Sequence, residues 1–191
     1  MSGQGDGPSR RGLLGGAVAA VGAVALAGCG ASSGSEKTAG QMQTSGSNPP
    51  SPGDVARLSA ALELERRTVD AYVACVPLLS KPNSKAAALW LSEEVQHTGE
   101  LIALIKQAGG KAAPRADSYE IGSMPRNQAQ TLALLASFEQ LQVAYYLRIM
   151  PQLRLAKARA AVGTILNCDA QHLSLLRLVQ GRPAVPSAFV T

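Results

Sequence analysis

Apolar residues recur at alternating steps of three and four through four stretches of the chain. The first stretch runs Val55, Leu58, Leu62, Glu65, Val69, Tyr72, Val76 and Leu79. The second runs Trp90, Glu94, His97, Leu101, Leu104 and Ala108, and the third Leu132, Leu135, Glu139, Gln142, Tyr146 and Ile149. The fourth runs Ala158, Val162, Ile165, Asp169, His172, Leu176 and Val179. Residues so spaced share one face of an α-helix, so the pattern predicts four helices burying a common seam from Asp54 onward. The breaks agree. "SKPNS" (Ser80–Ser84) separates the first two segments, "AGG" (Ala108–Gly110) ends the second with glycine at a left-handed cap, and Pro151 closes the third. Some sixteen residues, "GKAAPRADSYEIGSMP", separate segments two and three. A 25-residue helix is about 37 Å long at 1.5 Å per residue, and such a connection can run its full length. The expected fold is all-α: a four-helix bundle of two helical hairpins joined by a long crossover.

The two hairpins repeat each other. Glu65 precedes Tyr72 by seven residues and Pro77 by twelve, and Glu139 stands in the same relation to Tyr146 and Pro151. Glu94 follows Glu65 by 29 residues and Asp169 follows Glu139 by 30. Each half thus supplies one helix with a Glu and one with a carboxylate-x-x-His, and these hold the chain's only two histidines.

Six of these residues put charge or imidazole where a seam normally buries Leu, Ile or Val. An unpaired buried carboxylate costs several kcal/mol even after relaxation, and four together repel one another. No Lys or Arg falls on any of the four seams. Two divalent cations would balance four carboxylates, with two neutral imidazoles completing the shells. Positions i and i+3 lie on one helix face, so one turn can present a carboxylate and an imidazole to the same ion.

Glu on one helix, Glu-x-x-His on the next, and both again after a crossover resembles the ferritin-like di-iron carboxylate superfamily. The nearest likeness is to rubrerythrin-like bundles and bacterial exported ferritin-like lipoproteins, over about Asp54 to Gly181. The resemblance implies Glu65 and Glu139 as ligands from the first and third helices, Glu94 and Asp169 as bridging carboxylates, and His97 and His172 as terminal ligands. It implies two divalent transition metals, iron foremost, with manganese or zinc as alternatives, and an oxidase- or peroxidase-type activity toward O2 or peroxide. The family carries Glu where this chain has Asp169, whose side chain is one methylene shorter. That departure leaves open an asymmetric or single-metal site, and a metal-free bundle acting as an envelope stress or binding module. No C-x-x-C pair is present, so an attached rubredoxin-like electron carrier is not expected.

Residues 1–28 read as an export signal. Arg10 and Arg11 head the weakly apolar stretch from Gly12 to Gly28, which is 17 residues and ends in "LAGC". A membrane-spanning helix usually needs about 20 apolar residues. Together these features resemble a twin-arginine signal followed by a lipoprotein cleavage box, with Cys29 as the lipidated mature N-terminus. Residues 29–53, rich in Gly, Ser, Thr and Pro, form a flexible tether to a bundle over 54–191. The expected location is the outer face of a bacterial cytoplasmic membrane, with the lipid as membrane contact. Such an anchor fits poorly with a closed storage cage but leaves room for a homodimer.

Composition adds two points. Apolar residues are 46% of the chain but aromatic ones only 4%, so Leu, Val, Ile and Ala must fill the core. The net charge of +5 is spread without a basic run, so no nucleic-acid partner is expected. Tyr72, Tyr146 and Gln142 are candidates to hydrogen-bond the ligand carboxylates, although the two tyrosines fit better as core residues whose hydroxyls find a local partner. Glu93 and Glu100 read as solvated helix face and Trp90 as core. Cys75 would sit about 15 Å along the axis from Cys168, too far for a disulfide.

Overall fold

The computed structural model describes residues 51–185. The expected export signal with Arg10 and Arg11, the expected lipidation site Cys29 and the expected tether up to residue 50 lie outside them. Four helices make up the domain: α1 (Pro52–Cys75), α2 (Lys81–Gln107), α3 (Gln128–Ile149) and α4 (Ala156–Val179). No strand occurs among the described residues, in keeping with the all-α expectation.

The internal repeat extends to the helix ends. Both α1 and α3 run directly into a proline-bearing 3-10 turn, Val76–Leu78 and Met150–Gln152, and then into an extended residue, Leu79 or Leu153. Two expected boundaries shift. Helix α1 begins at Pro52, two residues before Asp54, and α2 begins at Lys81, inside "SKPNS". Proline in a first turn gives up no hydrogen bond, because that N–H has no partner within the helix anyway. The chain has already turned at Val76–Leu78, so Pro82 opens a helix rather than separating two. At the other end of α2, Gly109 takes φ +84°. Gly110 N–H reaches Ile105 C=O and Gly109 N–H reaches Lys106 C=O, satisfying carbonyls the helix leaves open. The Gly110 backbone also packs so tightly on Val55 that a Cβ would approach it to 2.6 Å.

Contacts at the ends fix the topology. Ser51 N–H donates to Ala108 C=O at 2.9 Å, so α1 starts where α2 ends. The buried carboxylate of Asp54 accepts the N–H groups of Arg154 and Leu155, placing the start of α1 beside the α3–α4 connection. Ser80 N–H donates to the Gln128 side chain at 2.7 Å, so α2 and α3 start together. Helices α1 and α4 therefore run one way, and α2 and α3 the other. The crossover climbs along α1, which holds it as a strap. Arg66 donates to the carbonyls of Ala113 and Pro114, Arg67 donates to that of Glu120, and Asp70 pairs with Arg115 and accepts from Tyr119 N–H.

The core has two apolar ends with a polar layer between. Leu58, Leu62, Leu104, Ile105, Val162 and Ile165 belong to one cluster, and Ala71, Tyr72, Trp90, Leu135, Phe138 and Leu176 to the other. The seam residues between them are Glu65, Glu94, His97, Glu139, Asp169 and His172. No helix among the described residues is long and apolar enough to cross a membrane.

Candidate metal centre

Each of the six seam residues is placed by its helix: Glu65 by α1, Glu94 and His97 by α2, Glu139 by α3, and Asp169 and His172 by α4. All are buried; His97, at 8% exposure, is the most accessible. They form two overlapping groups. Glu65, Glu94, His97 and Asp169 make one, and Glu94, Glu139, Asp169 and His172 the other, each with donor atoms within 4.8 Å of one another. Glu94 and Asp169 belong to both, so the shorter side chain at 169 still reaches the shared position.

All five spacings exceed a hydrogen bond, and the three shorter ones match donors around one ion. His97 Nδ1 lies 3.4 Å from Asp169 Oδ1, 3.7 Å from Glu65 Oε2 and 3.8 Å from Glu94 Oε1. His172 Nδ1 lies 3.3 Å from Glu94 Oε1 and 3.4 Å from Glu139 Oε1. An N–H···O bond spans about 2.7–3.2 Å. Two donors each about 2.0–2.2 Å from one ion lie roughly 3.0–3.5 Å apart. Both Nδ1 atoms, Glu94 Oε1, Glu139 Oε2 and both Asp169 oxygens are buried without a hydrogen-bond partner. Groups so deep are normally satisfied, and this set of N and O donors suits a divalent transition metal. The residues fit the metal ions that the pattern implies.

Burial and mutual repulsion set the protonation of the layer. Burial and then the charge of Glu94 push Glu65 up to about 8, and the same two causes push Glu139 up to about 7. Asp169 is raised by burial and by its three carboxylate neighbours. Burial also opposes the charge on Glu94, but contacts with His172, His97 and Glu65 outweigh it and hold Glu94 low. Burial disfavours charge on both imidazoles too. The surrounding carboxylates and the Cys168 thiol overcome it and raise both. Among the described residues, protons thus balance the charge that ions would balance in a loaded site.

A shell of donors orients these side chains. Tyr72 Oη donates to Glu139 Oε1 at 2.5 Å, and Tyr146 Oη donates to Glu65 Oε1. Each tyrosine serves the glutamate of the other hairpin, as antiparallel α1 and α3 require. Gln142 Nε2 donates to Glu65 Oε2 at 2.8 Å and to Glu94 Oε2 at 2.9 Å. Both tyrosines are pushed well above the usual phenol range by burial and then by adjacent carboxylate charge, so they stay neutral donors.

One expectation reverses. Glu93 is buried rather than solvated, and its Oε2 lies 2.8 Å from His172 Nε2. One residue from Glu94, it is turned about 100° off the seam and reaches sideways to α4. With Nε2–H donated to Glu93, His172 Nδ1 keeps its lone pair for the centre. The signal in the sequence was positional: Glu93 directly precedes Glu94 as Cys168 directly precedes Asp169. Glu100 is exposed, as expected. Trp90 is core, with its ring centroid 5.4 Å from that of His172. Cys75 and Cys168 form no disulfide, and Cys168 Sγ lies 3.6 Å from His172 Nε2.

Residues 90–182 match the family model of the ferritin-like domain. A conserved hypothetical protein of Mycobacterium tuberculosis superposes with a TM-score of 0.64 at 20% identity, covering 72% of this chain and 96% of that one. Rhodobacter capsulatus bacterioferritin superposes with a TM-score of 0.62 at 16% identity, covering 70% of this chain and 87% of that one. No curated protein matches. Helix order, crossover and paired carboxylate-x-x-His turns agree with the match of residues 90–182 to the ferritin-like domain, and the fold is that of a ferritin-like four-helix bundle.

Proposed function

We propose that this protein is a lipid-anchored, exported ferritin-like protein whose bundle holds two divalent transition metals, iron foremost, for redox or metal handling. The observation that carries the reading is the set of buried, unpartnered donor atoms of Glu94, His97, Glu139, Asp169 and His172, converging as two overlapping groups. One group comprises Glu65, Glu94, His97 and Asp169, and the other Glu94, Glu139, Asp169 and His172. Bound iron would supply one-electron chemistry toward O2 or peroxide. The chain's own residues would fix the geometry: Tyr72 and Tyr146 orient Glu139 and Glu65, and Glu93 fixes the His172 tautomer. The likeness in fold to bacterioferritin, a protein with a dinuclear site that is metal-free in that structure, adds support.

The full chain, purified anaerobically and offered Fe(II), Mn(II) or Zn(II), is expected to retain up to two ions by mass spectrometry. A chain that binds none of the three would overturn the metal reading. The alternative, a metal-free bundle serving as a binding module, would then stand. The raised pKa values of Glu65, Glu139 and Asp169 favour it, because protons alone can neutralise the layer.

The anchor rests on "LAGC" after the apolar stretch and before a polar tether. Cys29→Ser is expected to shift the protein from the membrane to the soluble fraction, or to leave it unprocessed. Correctly processed Cys29→Ser protein that stays on the membrane would sink the lipid-anchor assignment.

A further inference from the structure

The two halves repeat in position but not in chemistry, and the differences fall on one side. Glu93 and Cys168 are equivalent, each directly preceding the carboxylate of a carboxylate-x-x-His turn. Glu93 gives His172 a carboxylate partner at 2.8 Å. The Cys168 thiol is a contact of both imidazoles, with Sγ 3.6 Å from His172 Nε2, whereas the carboxylates that face His97 lie on its Nδ1 side. A carboxylate accepting the distal N–H makes an imidazole a more basic and better oriented ligand, whereas a thiol is a weak acceptor.

A second difference is independent of the first. Gln142 follows Glu139 by three residues, as Thr68 follows Glu65. Thr68 turns its hydroxyl back to Leu64 C=O in its own helix. Gln142 instead spends its amide on Glu65 Oε2 and Glu94 Oε2. Both Glu65 oxygens are therefore engaged, one by Tyr146 and one by Gln142. Glu139 has only Oε1 engaged, by Tyr72, while Oε2 is buried and unpartnered. An ion on the Glu139 side finds an open oxygen, whereas an ion on the Glu65 side must compete with a buried amide. His97 is also more accessible than His172, at 8% against 2% exposure.

We infer that the two metal positions are unequal. The group of Glu94, Glu139, Asp169 and His172 is a tight position filled first, and the group of Glu65, Glu94, His97 and Asp169 is a weaker position through which metal enters and leaves. This rests on the two-metal reading above and gives it a direction. One position holds a resident ion, and the other exchanges its ion with solution.

The test is anaerobic calorimetric and optical titration of the metal-stripped full chain with Co(II). The wild type should bind in two steps whose dissociation constants differ by about 10–100-fold, the range expected when an outer partner of a ligand is lost. His97→Ala should abolish the weak step alone. Glu93→Gln, an isosteric change, should weaken the tight step by about tenfold or more and leave the weak one in place. Cys168→Asp should restore a carboxylate beside His97 and bring the two steps together. If Cys168→Asp fails to fold, Glu93→Gln still decides. Two indistinguishable steps in the wild type, or a Glu93→Gln effect on the weak step, would overturn the inequality while leaving the two-metal reading intact. A thiolate-to-cobalt charge-transfer band in the wild type would overturn the assignment of Cys168 as an outer partner. If no Co(II) binds at all, the two-metal reading itself falls.

Discussion

Glu94→Gln is expected to abolish binding at both metal positions, whereas a terminal ligand change such as His97→Ala removes only one. Glu94 is the one fully buried carboxylate of the layer held low rather than raised, and its Oε1 faces both imidazoles, 3.8 Å from His97 Nδ1 and 3.3 Å from His172 Nδ1. It belongs to both donor groups. Changing it to Gln keeps the volume and leaves an amide to meet Gln142, so the helices can remain packed. What goes is the negative charge common to both positions. Losing an outer partner already weakens a metal site by about 10–100-fold, and losing a shared ligand should exceed that at each position. Mass spectrometry of the Co(II)- or Fe(II)-exposed variant should find almost no bound metal. Its melting temperature should ignore a chelator that lowers that of the wild type. A Glu94→Gln protein that keeps two ions would show that Glu94 is not shared.

The bundle and its polar layer were legible because they rest on periodicity. Steps of three and four put Glu65, Glu94, His97, Glu139, Asp169 and His172 on seams, and the 29- and 30-residue intervals brought the halves into register. Periodicity names the face a residue occupies but not its partner across the bundle. Tyr72 and Tyr146 were therefore legible as inward-facing but not as donors to Glu139 and Glu65, which depends on α1 and α3 being antiparallel. Glu93 was missed because it lies off the seam, where a charged side chain ordinarily meets water. Here the neighbouring α4 covers it and brings His172 to it. Asp54 was likewise unmarked as a buried group. Its carboxylate is fully buried because it satisfies the N–H groups of Arg154 and Leu155, a hundred residues away at the entry to α4. Such long-range satisfaction leaves no local trace in a sequence.

The metal-free protein should lose stability as pH rises from about 5 to 9, and the metal-loaded protein should not. Glu65 and Glu139 have an ordinary value of 4.5, and in the folded protein they are pushed up to about 8 and about 7, with Asp169 raised as well. A carboxyl raised on folding binds its proton more tightly in the native state than in the unfolded chain. Below about pH 4.5 both states are protonated and the native fold bears no penalty from these groups. Between 4.5 and 8 the unfolded chain ionises freely while the native layer resists, so stability drains away, and the loss is complete above the folded values. Glu94, held low, works the other way, but its contribution is lost only as pH falls below its ordinary 4.5 and so is constant across this window. The imidazoles, also raised, act in the same direction as Glu65 and Glu139: their stabilisation is whole below about pH 6.5 and declines above it, adding to the loss. The net expectation for the stripped full chain is a melting temperature lower by roughly 5 °C or more at pH 9 than at pH 5. With two divalent ions in place the carboxylates are ionised throughout, the repulsion is compensated and the slope should flatten. Differential scanning calorimetry of stripped and reloaded protein across this range checks both limbs. A stripped protein whose melting temperature is level or rises over that window would mean that the four carboxylates do not share one buried layer, and the charge-balance argument for a metal centre would go with it.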